Sequence, residues 1–328
     1  MEIRYFFRSK KTGEFSIEKV FNSIINIMSI NDSVEVVYVP EPTTSLINLF
    51  KNIKYIIKYR NAVNHVTGDI HYIVPFLNRK QTILTIHDMS TIVNSKGIKK
   101  HIYSLIWYRI PIASSRIVTT ISKKTADELV MAYPFIKEKL YIVENPVGDN
   151  FNFYPYTFNK KNPRILQIGT RENKNLERVL NAIKDIDCMI DIVGNINERQ
   201  LNIIEDNNIS YINDSNISDE EIIEKYKLCD LVIFASTYEG FGLPIIEGQA
   251  IGRPIITSNI EPMISVSNGT TCLVDPYNID SIKRGILKVI NNDTYREELI
   301  QSGLRNVLRY SADTIARKYK QIYELVAK

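Results

Sequence analysis

The chain has 328 residues, 44% of them apolar and 24% charged. That length suits two domains with sizeable cores, and the balance excludes a disordered chain. A formal net charge of +4 does not suit a nucleic-acid binder, which carries a concentrated basic stripe.

In chain order, a helix is expected over 15–28 and a strand at 34–39. A helix then follows over 45–60, with Leu46, Leu49, Phe50, Ile53, Ile56 and Ile57 at helical spacing and Lys51, Lys54 and Lys58 on another face. Two readings stay open for it: a helix packed on a sheet, or a basic amphipathic helix touching anionic lipid. Strands are expected at 64–67, 82–86 and 117–121, and Lys99, Lys100, Trp107, Tyr108 and Arg109 make a second basic and aromatic stretch. The stretch 143–163 is rich in Asn, Pro and Tyr and breaks the rhythm. Strands resume at 164–168, 189–193, 231–235 and 254–257, with a helix at 176–183. A last helix over 311–327 places Ala316, Tyr319, Ile322, Tyr323 and Val326 at helical spacing.

This βαβ rhythm implies an α/β protein with parallel sheets covered by helices. The expected division is a Rossmann-like domain over 1–150, a linker at 151–163, a second Rossmann-like domain over 164–310 and a terminal helix over 311–328. Two such halves imply a cleft between them. Ligands of open α/β sheets bind beyond the carboxyl ends of the strands.

Three stretches stand at such strand ends. In Glu239-Gly-Phe-Gly-Leu-Pro-Ile-Ile-Glu247, glycines let backbone amides approach a ligand, and a helix start beneath favours an anionic group such as a diphosphate. Pro244 suits the first helical turn. Glu239 and Glu247 could each hold paired sugar hydroxyls, although either alone would read as a solvated loop carboxylate or a helix-start charge. In Ile168-Gly-Thr-Arg-Glu-Asn-Lys-Asn-Leu176, Arg171 and Lys174 can neutralise a diphosphate. In Thr85-Ile-His-Asp-Met89, His87 lies at the expected cleft, where a lone His is more often structural. His65 and His71 sit on another loop. Ser122 is read chiefly as the cap of the next helix.

The Glu239–Glu247 stretch resembles the E-x7-E signature of family 4 glycosyltransferases, and 168–176 is similar to that family's Gly-Thr-x-x-x-Lys-Asn-Leu. His87-Asp88 resembles the family's His-Asp pair. The resemblance covers the second half and, more weakly, the first. It implies the GT-B fold, two Rossmann-like domains facing each other across a cleft, and retaining, metal-independent transfer of a sugar from a nucleoside diphosphate donor. It places His87 and Glu239 at the donor sugar as the catalytic pair. It gives Gly169, Arg171 and Lys174 to the phosphates, the backbone of Gly240, Phe241, Gly242 and Leu243 to sugar hydroxyls, and Glu247 to the ribose. Two places depart from the pattern: Ser9-Lys-Lys-Thr-Gly-Glu14 stands where many relatives have a Gly-Gly-Ile-Gly loop, and Ser265 replaces a glutamate.

The function expected is hexosyl transfer to a glycan acceptor, lipid-linked, in bacterial surface polysaccharide synthesis. The alternatives are a non-catalytic sugar-nucleotide-binding subunit and a GT-B-fold sugar-nucleotide epimerase. No cofactor or metal is expected, and no nucleic-acid partner. Cys188, Cys229 and Cys272 are too scattered for a zinc site. No apolar h-region follows the first residues and no apolar run approaches ~18 residues, so no signal peptide is expected and the chain is expected in the cytoplasm, peripheral on the inner face of the cell membrane.

Overall fold

The computed structural model describes residues 1–12, 16–59, 62–89, 92 and 97–327. Gly13, Glu14, Phe15, Arg60 and the Lys99 side chain, which enter the expectations above, lie outside the described residues. The chain divides into two compact units, Met1–Gly148 with Ser311–Lys328, and Asp149–Tyr310.

The first unit is built on six strands: β1 (Glu2–Phe7), β2 (Ser33–Tyr38), β3 (Val63–Val66), β4 (Thr82–Ile86), β5 (Ile117–Thr120) and β6 (Leu140–Ile142). They lie in the order β2-β1-β3-β4-β5-β6, each neighbouring pair parallel. A parallel sheet covered on both faces takes apolar residues on both, and Ile3, Tyr5, Phe6 and Phe7 are all buried. No strand is read at 2–7 in the sequence, because Arg4 breaks the apolar run. In the fold its Nε donates to Glu35 Oε2 at 2.6 Å and its Nη2 to Glu2 Oε1 at 3.0 Å.

The Ala312–Ala327 helix belongs to this unit. Ile315, Tyr319, Ile322, Tyr323 and Val326 are buried with Ile3, Tyr5 and Phe21. Tyr323 Oη donates to Tyr5 Oη at 2.9 Å and lies 2.7 Å from His65 Nδ1. His65 Nε2 is 2.6 Å from Thr85 Oγ1. His65 is therefore a core residue, and burial pushes its pKa down to about 3.

The second unit carries β7 (Arg164–Ile168), β8 (Met189–Val193), β9 (Ser210–Asp214), β10 (Leu231–Phe234), β11 (Ile255–Ser258) and β12 (Cys272–Val274). Their order is β12-β11-β10-β7-β8-β9, again parallel throughout. The chain winds outward from β7 to β9, then returns to the other side of β7 with β10. The loops leaving β7 and β10 thus diverge over a topological switch point, the place where open α/β sheets bind ligands.

The stretch 151–163, expected as a linker, is packed on the second unit. The Arg253 guanidinium lies 3.7 Å from the Tyr156 ring centroid and Arg296 lies 3.9 Å from that of Phe158. Asp230 accepts from the backbone N–H of Asn159 at 2.7 Å and of Arg164 at 2.8 Å. Tyr156 and Phe158, in a stretch with no secondary-structure period, thus lie against arginine planes.

Candidate active site

The loop after β7 turns at Gly169, whose φ is +90°. A Cβ there would lie 2.8 Å from Lys174 Cγ, so glycine serves both the left-handed backbone and the close passage of the Lys174 stem. Side-chain amides fix this loop. Gln167 Nε2 donates to the carbonyls of Gly169 and Lys174, each at 3.1 Å, and Gln200 Nε2 to that of Thr170 at 2.8 Å. Asn175, itself left-handed with φ +62°, donates to Ala235 O at 2.9 Å and Pro276 O at 2.7 Å.

The loop after β10 is tied to the first. Thr237 N–H donates to Asn173 O at 2.8 Å, and Asn173 Nδ2 donates to Tyr238 O at 3.0 Å. These bonds bring the two motifs together: Lys174 Nζ lies 2.6 Å from Glu239 Oε1. Both side chains are partly buried, which strengthens the pair relative to an exposed one. Gly242, with φ +115°, opens the Leu243–Ile251 helix, and Pro244 sits in its first turn. The first N–H groups of a helix have no intrahelical acceptor, so this end is suited to oxygen atoms of a ligand. The Phe241 side chain is buried, its ring 5.7 Å from that of Tyr310. Only the backbone of Phe241 can serve a ligand here.

Glu247 lies about one turn inside that helix. Its Oε2 accepts from Tyr226 Oη at 2.7 Å. Burial pushes the Glu247 pKa up to about 7, against the opposing effect of the Tyr226 hydrogen bond. Arg171 is exposed and lines an open groove of about 920 Å³ with Arg178, Arg199 and Asn197. The structure therefore joins Gly169, Lys174 and Glu239 in one cluster, sets Glu247 in the adjoining helix, and turns Arg171 outward.

His87 belongs to the first unit, at the end of β4. Its Nε2 lies 2.9 Å from Thr67 O, and burial holds its pKa down at about 4, so the ring is neutral near pH 7. His71 Nδ1 lies 2.9 Å from Trp107 O, a structural bond. Ser122 caps the Lys123–Ala132 helix, accepting from Thr125 N–H at 3.2 Å. Ser265 Oγ donates to Glu261 Oε1 at 2.8 Å, so a carboxylate stands beside the residue that replaces the family's glutamate.

Sequence reasoning missed Tyr226 and the amides of Gln167, Asn173, Asn175 and Gln200. Tyr226 lies 21 residues before Glu247, on a separate helix, and no local pattern connects the two. Asn175 sits inside the Lys-Asn-Leu motif, and its position between a strand-end loop and a helix start is a readable signal.

The profile described as glycosyl transferases group 1 matches residues 149–305. An uncharacterized glycosyltransferase of Methanocaldococcus jannaschii is 24% identical over 301 residues, 84% of this chain and 82% of that protein. The serotype-specific mannosyltransferase WbdA of Escherichia coli is 21% identical over 292 residues, 76% of this chain but only 36% of its own length. Among solved structures, Anabaena HepE in complex with UDP and glucose matches with a TM-score of 0.81 at 14% identity, covering 99% of both chains. Its likeness concerns the fold. Residues 149–305, nearly all of the second unit, thus match the glycosyl transferases group 1 family, and the two parallel six-stranded sheets have the GT-B fold of solved glycosyltransferases.

Proposed function

We propose that the chain transfers a hexose, with retention and without a metal ion, from a nucleoside diphosphate sugar to a glycan acceptor. The observation that carries this is the 2.6 Å Lys174–Glu239 pair at the switch point of the second sheet, beside the helix that holds Glu247. Lys174 takes the diphosphate and opposes the negative charge that grows on it as the sugar leaves. Arg171, exposed on the same loop, adds a planar fork to the phosphates. Glu239 and the Gly240–Leu243 backbone take sugar hydroxyls, and Glu247 takes the ribose. His87 enters the same proposal through the family resemblance alone. The acceptor oxygen bonds to the anomeric carbon as the bond from that carbon to the phosphate oxygen breaks, and the acceptor proton passes to the departing phosphate.

HepE, solved with UDP and glucose, supports a nucleotide-sugar donor. The mannosyltransferase relatives of Escherichia coli, among them an O-antigen chain mannosyltransferase, support a surface polysaccharide as acceptor. A lipid-linked acceptor and peripheral contact with anionic membrane belong to the same reading. Among the described residues no three His, Cys, Asp or Glu side chains gather as a ligand set, and Lys174 and Arg171 supply cations in place of a metal.

A thermal-shift panel of UDP- and GDP-sugars identifies the donor, since a ligand at 100 times its Kd stabilises by about 2.7 kcal/mol. With that donor, Lys174→Ala and Glu239→Ala should each lower kcat/KM by about ten- to a hundredfold, the loss of one charged hydrogen bond. Wild-type turnover in both would remove them from the site. Transfer should persist in EDTA; loss restored by Mg²⁺ would contradict the metal-free reading. Donor binding with neither transfer nor hydrolysis would favour a non-catalytic binding subunit.

A further inference from the structure

Three helices share one face of the second sheet. The Leu176–Ile183 helix follows β7, the Glu198–Asp206 helix follows β8 and the Ile279–Asn291 helix follows β12. The first packs against both others, and Leu176, Ile204 and Ile282 are buried in one cluster. The open groove of about 920 Å³ runs across the starts of all three. A helix that follows a parallel strand starts near that strand's carboxyl end, so the groove lies on the ligand-binding edge of the sheet. Lys174 and Glu239 hold the mouth between β7 and β10. The groove continues past them, over the helix that follows β7, and Arg171 lines it too.

The polar side chains of this groove are held in place and still keep a function to offer. Arg178 Nη1 donates to Asn175 Oδ1 at 2.8 Å, and its guanidinium lies 5.7 Å from the Tyr277 ring centroid. Asn181 Nδ2 donates to Glu177 O at 2.8 Å. Glu177 Oε2 pairs with Arg199 Nε at 3.2 Å. Asn197 Oδ1 accepts from Gln200 N–H at 2.9 Å. Among the described residues this leaves Arg178 Nη2 and Asn197 Nδ2 as donors, and Glu177 Oε1 and Asn181 Oδ1 as acceptors, for a ligand. Side chains ordered before binding lower its conformational cost.

The chemistry of the lining selects the ligand. With Arg171 given to the donor phosphates, Arg178 and Arg199 stand against Glu172, Glu177 and Glu198. An anionic ligand gains nothing from that balance, since phosphates and carboxylates are held by cations without carboxylates beside them. A hydroxyl both donates and accepts, so interleaved donors and acceptors suit a ligand dense in hydroxyl groups. Leu176 and Ile279 add an apolar strip, which fits the C–H face of a sugar ring. The volume stands at the upper end of the ~300–1,000 Å³ of small-ligand sites, enough for more than one sugar unit.

We propose that this groove is a glycan subsite on the second unit, holding neutral sugar units of the acceptor that lie behind the unit being extended. Arg178, Asn181, Glu177 and Asn197 take their hydroxyls. The inference rests on the reading of the chain as a transferase to a glycan, and it makes the acceptor an oligosaccharide and not a single sugar. Binding is measured without turnover, so the failure of the subsite and the failure of that reading are separate results.

The full chain is titrated calorimetrically, with UDP or GDP present, against ladders of mannose and of glucose oligomers of increasing length, and against oligogalacturonates as the anionic counterpart. The expected result is an affinity that rises with length by about tenfold or more in a neutral ladder, the worth of one or two added hydrogen bonds. Arg178→Ala with Asn181→Ala, and independently Glu177→Ala with Arg199→Ala, should each remove that gain. Affinity for the single sugar and for the nucleotide should stay as in wild type, because Asn175 keeps its own bonds to Ala235 O and Pro276 O. None of the four side chains is fully buried, so melting should be unchanged; if one pair lowers it, the other pair decides. An affinity independent of length in both neutral ladders overturns the proposal, as does a length dependence that survives both variants. Tighter binding of the galacturonates overturns the neutral ligand. Weaker nucleotide binding in either variant also overturns it, because the groove would then belong to the donor. A chain that binds long glycans by this groove and transfers no sugar sinks the transferase reading and leaves the subsite standing.

Discussion

Glu247 is held in two ways that pull its proton in opposite directions. The Tyr226 hydroxyl donates to its Oε2 at 2.7 Å and favours the carboxylate, while burial favours the acid and prevails, leaving the pKa at about 7. In the unfolded chain the group titrates near 4.5. Between those values the folded state binds a proton that the unfolded state does not, so stability falls as pH rises from about 4.5 to about 7. Above that window the full cost of an ionised buried carboxylate remains. Glu247→Gln keeps an oxygen for Tyr226 and removes the charge. It should match wild type in thermal melting at acid pH and exceed it by about 1–2 kcal/mol at mildly alkaline pH. Identical pH slopes for the two proteins would mean that Glu247 is solvated. Of this site the sequence showed Lys174, Glu239 and Glu247, because each sits in a motif at a strand end. It did not show Tyr226 or the clamp of Gln167 and Gln200, because those contacts exist only once separate elements are packed.

The glycine-to-lysine turn after β7 places the cation, and its geometry depends on one missing methyl. Gly169 combines φ +90° with a prospective Cβ contact of 2.8 Å to Lys174 Cγ. Gly169→Ala strains the backbone and pushes the lysine stem away from Glu239. The backbone strain alone should cost about 1–2 kcal/mol, which for a unit of this size lowers Tm by roughly 2–8 °C. The activity loss should resemble that of Lys174→Ala. The double variant should lose little more than either alone, since both changes remove the same contact. Additive losses would show that Gly169 acts on something other than Lys174. At this scale the sequence revealed β4, β5, β7, β8 and β10 through short runs rich in Ile, Leu, Val and Thr that end at turn or polar residues. β6 and β12 have three residues each, too short for a period. In β9, an edge strand, Ser210, Asn213 and Asp214 dilute the apolar signal. β1 was hidden by Arg4, whose charge is answered by Glu2 and by Glu35 on a different strand.

The two units are joined in sequence twice, near residue 148 and again near 310, so the last helix returns the chain to the unit in which it began. That helix supplies five large buried side chains, Ile315, Tyr319, Ile322, Tyr323 and Val326, to the core around Tyr5 and Phe21. At about 1.5–3 kcal/mol for each fully buried large apolar side chain, their joint contribution is comparable with the ~5–15 kcal/mol that keeps a whole domain folded. Removing the helix also leaves His65 Nδ1 and Tyr5 Oη without their Tyr323 partner inside the core, a further cost for each buried polar group. Deleting 311–328 should therefore unfold the first unit. The second unit contains Lys174, Glu239, Glu247 and Tyr226 entirely within Asp149–Tyr310, so it should keep its own melting transition and its response to the nucleotide part of the donor. Calorimetry of the truncated chain, with and without UDP and GDP, separates the two effects. The expected trace has one remaining transition that the bound nucleotide moves upward, with transfer activity lost. A trace in which both units melt as in the full chain would make the helix an appendage, and one in which neither unit melts cooperatively would show that the second unit depends on the first for its fold.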